Sequence, residues 1–140
     1  MQVLTIACHW RYHPGNYGRL LVFETEVDMA VGDTDKHEVR QLARYQIHPE
    51  ALERVLAAIR EFVAYVRSNE PGTLRYEVWQ ERDDPTKFVH IFVFRDADAD
   101  RIHSESAAVK KFSSVLYPEC LAPVEFIDYQ FVIANTRIQM

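Results

Sequence analysis

Lys87-Phe88-Val89-His90-Ile91-Phe92-Val93-Phe94-Arg95 is apolar on both of the faces that a β-strand presents. Successive strand side chains point to opposite sides, so Val89, Ile91 and Val93 share one face and Phe88, His90, Phe92 and Phe94 share the other. A half-solvated strand alternates apolar with polar residues; a strand covered on both sides does not. The stretch therefore predicts a central strand with a layer of structure on each side. Just upstream, residues 73–80 read as another strand, with Leu74, Tyr76 and Val78 on one face. Only the polar turn Glu81-Arg82-Asp83-Asp84-Pro85-Thr86 separates the two, so they pair as an antiparallel hairpin.

Working outward, Leu52, Val55, Leu56, Ile59, Phe62, Val63 and Val66 recur at steps of three and four, which predicts a helix over 49–68. Pro49 suits its first position, and Asn69-Glu70-Pro71-Gly72 stops it. Before it, residues 39–47 read as a strand with Val39, Ala43, Tyr45 and Ile47 on one face. After the hairpin a second helix is expected over 97–117, burying Ile102, Val109, Phe112, Val115 and Leu116. Asp98 and Asp100 sit in its first turn, where the helix dipole favours anions, and Pro118 ends it. A loop over 118–123 leads to a fourth strand over 124–134.

The order β-α-β-β-α-β, with right-handed crossovers and a short central hairpin, is that of an α+β, ferredoxin-like split βαβ sheet with both helices on one face. Two helices cover one face only, yet both faces of 87–95 are apolar. The economical second layer is another copy of the chain, which predicts a homodimer closed sheet against sheet.

At 140 residues the chain is one domain plus at most a short appendage. The domain is expected over 38–136, with residues 1–37 as an N-terminal extension and 137–140 as a tail. The extension holds three of the four glycines and the run His9-Trp10-Arg11-Tyr12-His13-Pro14, and Met29 within it is an alternative start. Net charge is −5 and no Lys/Arg block stands out, which argues against nucleic acid or an anionic membrane as partner. Cys8 and Cys120 lie far apart with no CxxC spacing, as suits a reducing compartment. No apolar run approaches the ~20 residues of a membrane span, and the N-terminus lacks the pattern of a signal peptide. A soluble cytoplasmic protein is expected. His9 and His13 have the i,i+4 spacing of helical metal ligands, but Pro14 and Gly15 disfavour a helix there and no third ligand follows, so no metal site is expected. No P-loop, dinucleotide fingerprint or nucleophile elbow is present.

The run Glu70-Pro71-Gly72-Thr73-Leu74-Arg75-Tyr76-Glu77-Val78-Trp79-Gln80, then Asp83-Asp84-Pro85-Thr86-Lys87-Phe88-Val89, then an aspartate-rich helix start and His103, resembles the antibiotic biosynthesis monooxygenase family. The resemblance spans about residues 38–136. It implies a dimeric α/β barrel that oxidises a phenolic or quinol-type aromatic with O₂ and needs no metal, flavin or haem. Some members of the family degrade haem instead. Phe92 and Phe94 stand where many members carry Glu and Trp, and Phe94 counts against the haem reading. His103 falls where the family commonly has a helix-two histidine.

Oxygenation of a phenol without a cofactor requires deprotonation of the ring hydroxyl and a dry aromatic pocket around the resulting electron donor. Histidine is the side chain suited to the first task. His103, at the border of the second helix's packed face, is the first candidate base, against a structural role bonding Ser106 or a carboxylate. His90, a polar ring among phenylalanines, is the second, against a satisfied core histidine. Tyr45, Tyr76, Trp79, Phe92 and Phe94 are candidate walls for a planar ring, against plain core positions; Trp79 alternates opposite to Tyr76 and also suits the sheet–sheet interface. Arg44, Arg75 and Arg95 could stabilise a phenolate, but solvated edge charges explain them equally well. Cys120 has no adjacent histidine to activate it. The enzyme reading stands beside a non-catalytic dimer that binds a small aromatic ligand and, third, haem degradation.

Overall fold

The computed structural model describes residues 37–135. The readings made on Cys8, the His9/His13 pair and Met29 lie outside the described residues. In chain order the elements are β1 (Val39–Gln46), a 3₁₀ turn (Pro49–Ala51), α1 (Leu52–Asn69), β2 (Thr73–Gln80), β3 (Lys87–Phe94), α2 (Ala97–Glu105), α3 (Ala107–Leu116), a second 3₁₀ turn (Tyr117–Glu119) and β4 (Glu125–Tyr129). The strands form one sheet in the order β2-β3-β1-β4, and every neighbouring pair is antiparallel. This is the ferredoxin-like arrangement expected from the sequence.

The helices cover the face of β3 that carries Phe88, His90, Phe92 and Phe94, all buried. α1 buries Val55, Ile59, Phe62 and Val66, one stripe at steps of four, three and four. Each such side chain contributes about 1.5–3 kcal/mol on leaving water. Pro71 disfavours helical backbone at the residue before it, and Glu70 accordingly turns to φ −121°, ψ 77°, closing α1.

The expected single helix over 97–117 is instead two. Backbone at Ser106 is extended (φ −65°, ψ 146°), and its side chain accepts a hydrogen bond from the Val109 amide at 3.1 Å. Serine competes in this way for backbone groups that a continuous helix would use. Asp96 caps α2 in the same manner, accepting from the Ala99 amide at 2.8 Å. The break changes which side chains face inward: Ile102, expected in the core, is 48% exposed, while His103 beside it is 1% exposed.

Three smaller departures have local causes. β4 ends at Tyr129, paired with Arg40, because the β1 strand that it follows begins one residue earlier at Val39. Ile47 leaves β1 and forms an isolated bridge with Cys120. A register shift between Thr73 and Arg75 leaves Leu74 exposed, although Tyr76 turns inward.

The opposite face of the sheet carries Leu42, Val89, Ile91 and Ile127, all partly exposed, and Trp79, which is 57% exposed, with Arg40, Arg44, Arg75, Glu77 and Glu125 around them. No described helix covers it. Among the described residues no helix is long and apolar enough to cross a membrane.

Candidate functional site

Gly72 sets the geometry of the site. A Cβ at this position would lie 2.6 Å from the Cβ of Ala99, closer than real atoms approach. Its absence lets the first turn of α2 sit against the 70–72 turn, where the Gly72 carbonyl accepts from the Arg95 amide at 2.8 Å. One turn further along α2, His103 reaches back to the end of α1. His103 Nδ1–H donates to Glu70 Oε2 at 2.7 Å, and both side chains are almost fully buried. The Thr73 hydroxyl donates to the same carboxylate oxygen at 2.8 Å. Burial pushes the Glu70 carboxyl upward, but the hydrogen bond and charge of His103, together with Thr73, outweigh it and hold the group below the usual carboxylate range.

Aromatic rings wall this pair. Phe94 lies 5.0 Å from the His103 ring centroid, Phe62 and Tyr76 each 5.6 Å, and Phe92 6.1 Å. The His103 imidazole is therefore fixed on one side by a carboxylate and packed against four aromatic rings. An imidazole with its Nδ1–H held by a carboxylate is oriented in one tautomer, and the carboxylate stabilises the ring when it takes up a second proton.

The second histidine is placed differently. His90 is 2% exposed and lies between two phenols: Tyr45 Oη is 2.7 Å from Nε2 and Tyr76 Oη 2.8 Å from Nδ1. A neutral imidazole has one N–H and one acceptor nitrogen, so one tyrosine donates to the ring and the other accepts from it. Burial, aided by the charge of His103, pushes His90 down to about 3, so the ring is neutral at physiological pH. Burial raises both tyrosines well above the normal phenol range, and they remain protonated. His90 is thus a base fully occupied by hydrogen bonds and poorly matched to proton abstraction near neutrality.

Of the residues singled out from the sequence, the structure brings together His103, His90, Tyr45, Tyr76, Phe92 and Phe94 between the sheet and the helices. It separates Trp79 from them, on the opposite face. Arg44, Arg75 and Arg95 are exposed and paired with Glu125, Glu77 and Asp96. Burial and Glu119 raise the Cys120 thiol to about 11, which leaves it protonated and a weak nucleophile at neutral pH. Among the described residues no three His, Cys, Asp or Glu side chains converge as a metal-binding group.

Sequence reasoning missed Glu70, Phe62 and Phe112 as parts of the site. Glu70 was legible as part of a helix-stopping cluster and as the first residue of the family-like run, and nothing local marks a carboxylate that will be buried. Phe62 and Phe112 read as stripe residues of two helices, but their rings stack on each other, 4.9 Å apart and 3° from parallel. On their outer side lies a cleft of about 260 Å³ between α1 and α3, lined also by Ala58, Glu61, Tyr65, Ala107, Ala108, Lys111 and Val115. On their inner side Phe62 touches His103, and Phe112 lies 5.8 Å from His90.

Residues 38–114, more than half of the chain, match the family model for antibiotic biosynthesis monooxygenase. A candidate antibiotic biosynthesis monooxygenase from Bacteroides thetaiotaomicron is 23% identical and superposes with a TM-score of 0.68, over 75% of this chain and 99% of its own. Another solved structure, an antibiotic biosynthesis monooxygenase, is 26% identical with a TM-score of 0.64, over 68% of this chain and 99% of its own. A protein from Mycobacterium tuberculosis shares the fold at 18% identity and a TM-score of 0.64, over 71% of this chain and 99% of its own. No curated protein matches the chain. The fold and the hairpin thus agree with a family match that runs from β1 into α3, and the chain belongs to the antibiotic biosynthesis monooxygenase family.

Proposed function

We propose that this protein is a monooxygenase that oxidises a phenolic or quinol-type aromatic with O₂ and without a prosthetic group. The observation that carries the reading is the buried Glu70–His103 pair, 2.7 Å apart inside a shell of aromatic rings. In this reading His103 accepts the proton of the ring hydroxyl, and Glu70 orients the imidazole and stabilises the charge it gains. The phenolate so formed is electron-rich enough to reduce O₂ directly. One oxygen atom enters the ring at an unsubstituted carbon and the other leaves with two hydrogens as water, turning a phenol into a quinone. Phe92, Phe94, Phe62 and Tyr76 exclude bulk water from the intermediate. His90, neutral and held by two tyrosines, supports the wall. An oxygen electrode tests this with naphthols, catechols and hydroquinones. Uptake of one O₂ per phenol converted, with quinone as product, is expected; no protein-dependent uptake with any of them would count against the reading.

The working unit in this proposal is a homodimer in which two copies close over the outer face of the sheet. Leu42, Val89, Ile91, Ile127 and Trp79 support it as an apolar centre on that face, ringed by Arg40, Arg44, Arg75, Glu77 and Glu125 as a polar rim. A second reading, a dimer that holds a small aromatic without turning it over, draws on Phe92 and Phe94, apolar where many family members carry Glu and Trp.

A further inference from the structure

We propose that the cleft between α1 and α3 is the binding slot through which a flat, fused-ring phenol reaches His103, and that Phe62 and Phe112 form the gate at its floor. This rests on the oxygenase reading and adds the route by which the ring reaches the base. His103 and His90 are both closed off from solvent, so any substrate must displace something to reach them. Phe62 and Phe112 belong to both spaces: each lines the cleft, and each meets a buried histidine on its other side. Moving two stacked phenylalanine rings requires only side-chain rotation, with no break in a helix or strand.

The shape of the cleft selects its occupant. At about 260 Å³ it lies just below the ~300–1,000 Å³ of drug-sized sites, which suits a compact ring system. Ala58, Ala107 and Ala108 supply methyl walls, and the phenylalanine pair offers ring surface for stacking. Charge is confined to the rim, where Glu61 and Lys111 form an ion pair between α1 and α3. Both side chains of that pair are about two-thirds exposed, so its contribution is small and the rim opens readily.

The test is methyl and histidine NMR on the full chain titrated with 2-naphthol, with Ala58→Trp and Ala108→Trp filling the slot. The expected result is saturable movement of the Ala58, Ala107 and Ala108 methyl signals together with the His103 ring protons. Each tryptophan variant should weaken binding at least tenfold while its melting temperature stays near that of the wild type. Movement confined to the alanines, with the His103 ring unaffected, would overturn the gate. Movement near Trp79 instead, or unchanged binding in both variants, would overturn the slot. Oxygen uptake separates this proposal from the oxygenase reading. Uptake undiminished in both variants would remove the slot and leave the oxygenase standing. Binding in the slot with His103 movement but no uptake would keep the slot and remove the oxygenase.

Discussion

Glu70 and His103 stand 33 residues apart in sequence and share a 2.7 Å hydrogen bond in the core. Each is set in place by its local neighbours, but neither neighbourhood points to the other residue. Glu70 ends α1 because Pro71 follows it, and His103 faces inward because α2 is capped by Asp96 and broken at Ser106. Their meeting is a consequence of the fold, and the account of function depends on it.

Removing the carboxylate should leave the buried Nδ1–H of His103 without its acceptor. Glu70→Ala is expected to cost about 1–3 kcal/mol in urea unfolding, the usual effect of leaving a buried donor unsatisfied. Glu70→Gln keeps an acceptor for Nδ1–H and should cost less than Glu70→Ala. A loss below about 1 kcal/mol in Glu70→Ala would show that the pair carries little of the stability.

The pH dependence follows from His90 and Glu70. The folded-state pKa of His90 lies at about 3, against 6.5 for the free group. Between these values the unfolded chain binds a proton that the folded chain does not, so stability is full above pH 6.5 and falls as pH drops below it. The slope for one such proton is about 1.4 kcal/mol per pH unit. Glu70, also depressed when folded, adds a second loss once pH falls below its ordinary 4.5. Denaturant midpoints measured from pH 7.5 to 4.5 should show the first decline. His90→Gln, less stable at pH 7, should show a slope shallower by one proton; an equal slope in both proteins would mean that His90 titrates normally.

Gly72→Ala places a methyl group 2.6 Å from Ala99 Cβ and should destabilise by about 1–3 kcal/mol. Ala99→Gly in the same chain should recover part of that loss. Additive losses in the double variant, read by thermal melting, would show that the two sites do not touch.

The outer sheet face is expected to hold two copies together. Sedimentation equilibrium should give twice the 16.4 kDa of one chain for the wild type, and a single-chain mass for Ile91→Lys, which puts a charge at the middle of β3. A wild type that sediments as one chain would remove the dimer.

The sheet and the helix faces were legible from the sequence because they rest on local periodicity. Alternation in β3 assigned Phe88, His90, Phe92 and Phe94 to one face, and the structure places that face under the helices. The need of His90 for a partner was legible too, since a buried polar ring must be satisfied. Its identity was not: Tyr45 and Tyr76 come from strands on either side of β3, and only the register sets Tyr45 opposite Phe88 and Tyr76 opposite Phe92. The helix break at Ser106 stayed hidden because the apolar stripe runs on across it, and one capping serine outweighs that pattern. Glu70 reads as part of the cluster Asn69-Glu70-Pro71-Gly72 that stops the first helix. Its burial depends on Gly72 admitting α2, which no local pattern announces.

The most direct test of the central claim is O₂ uptake with 2-naphthol by the wild type, His103→Ala and His90→Ala, each first shown to be folded. The account predicts protein-dependent uptake that falls by about 10²–10⁴-fold in His103→Ala, the usual contribution of a general base, and far less in His90→Ala. Uptake that survives the loss of His103 and disappears with His90 would contradict it.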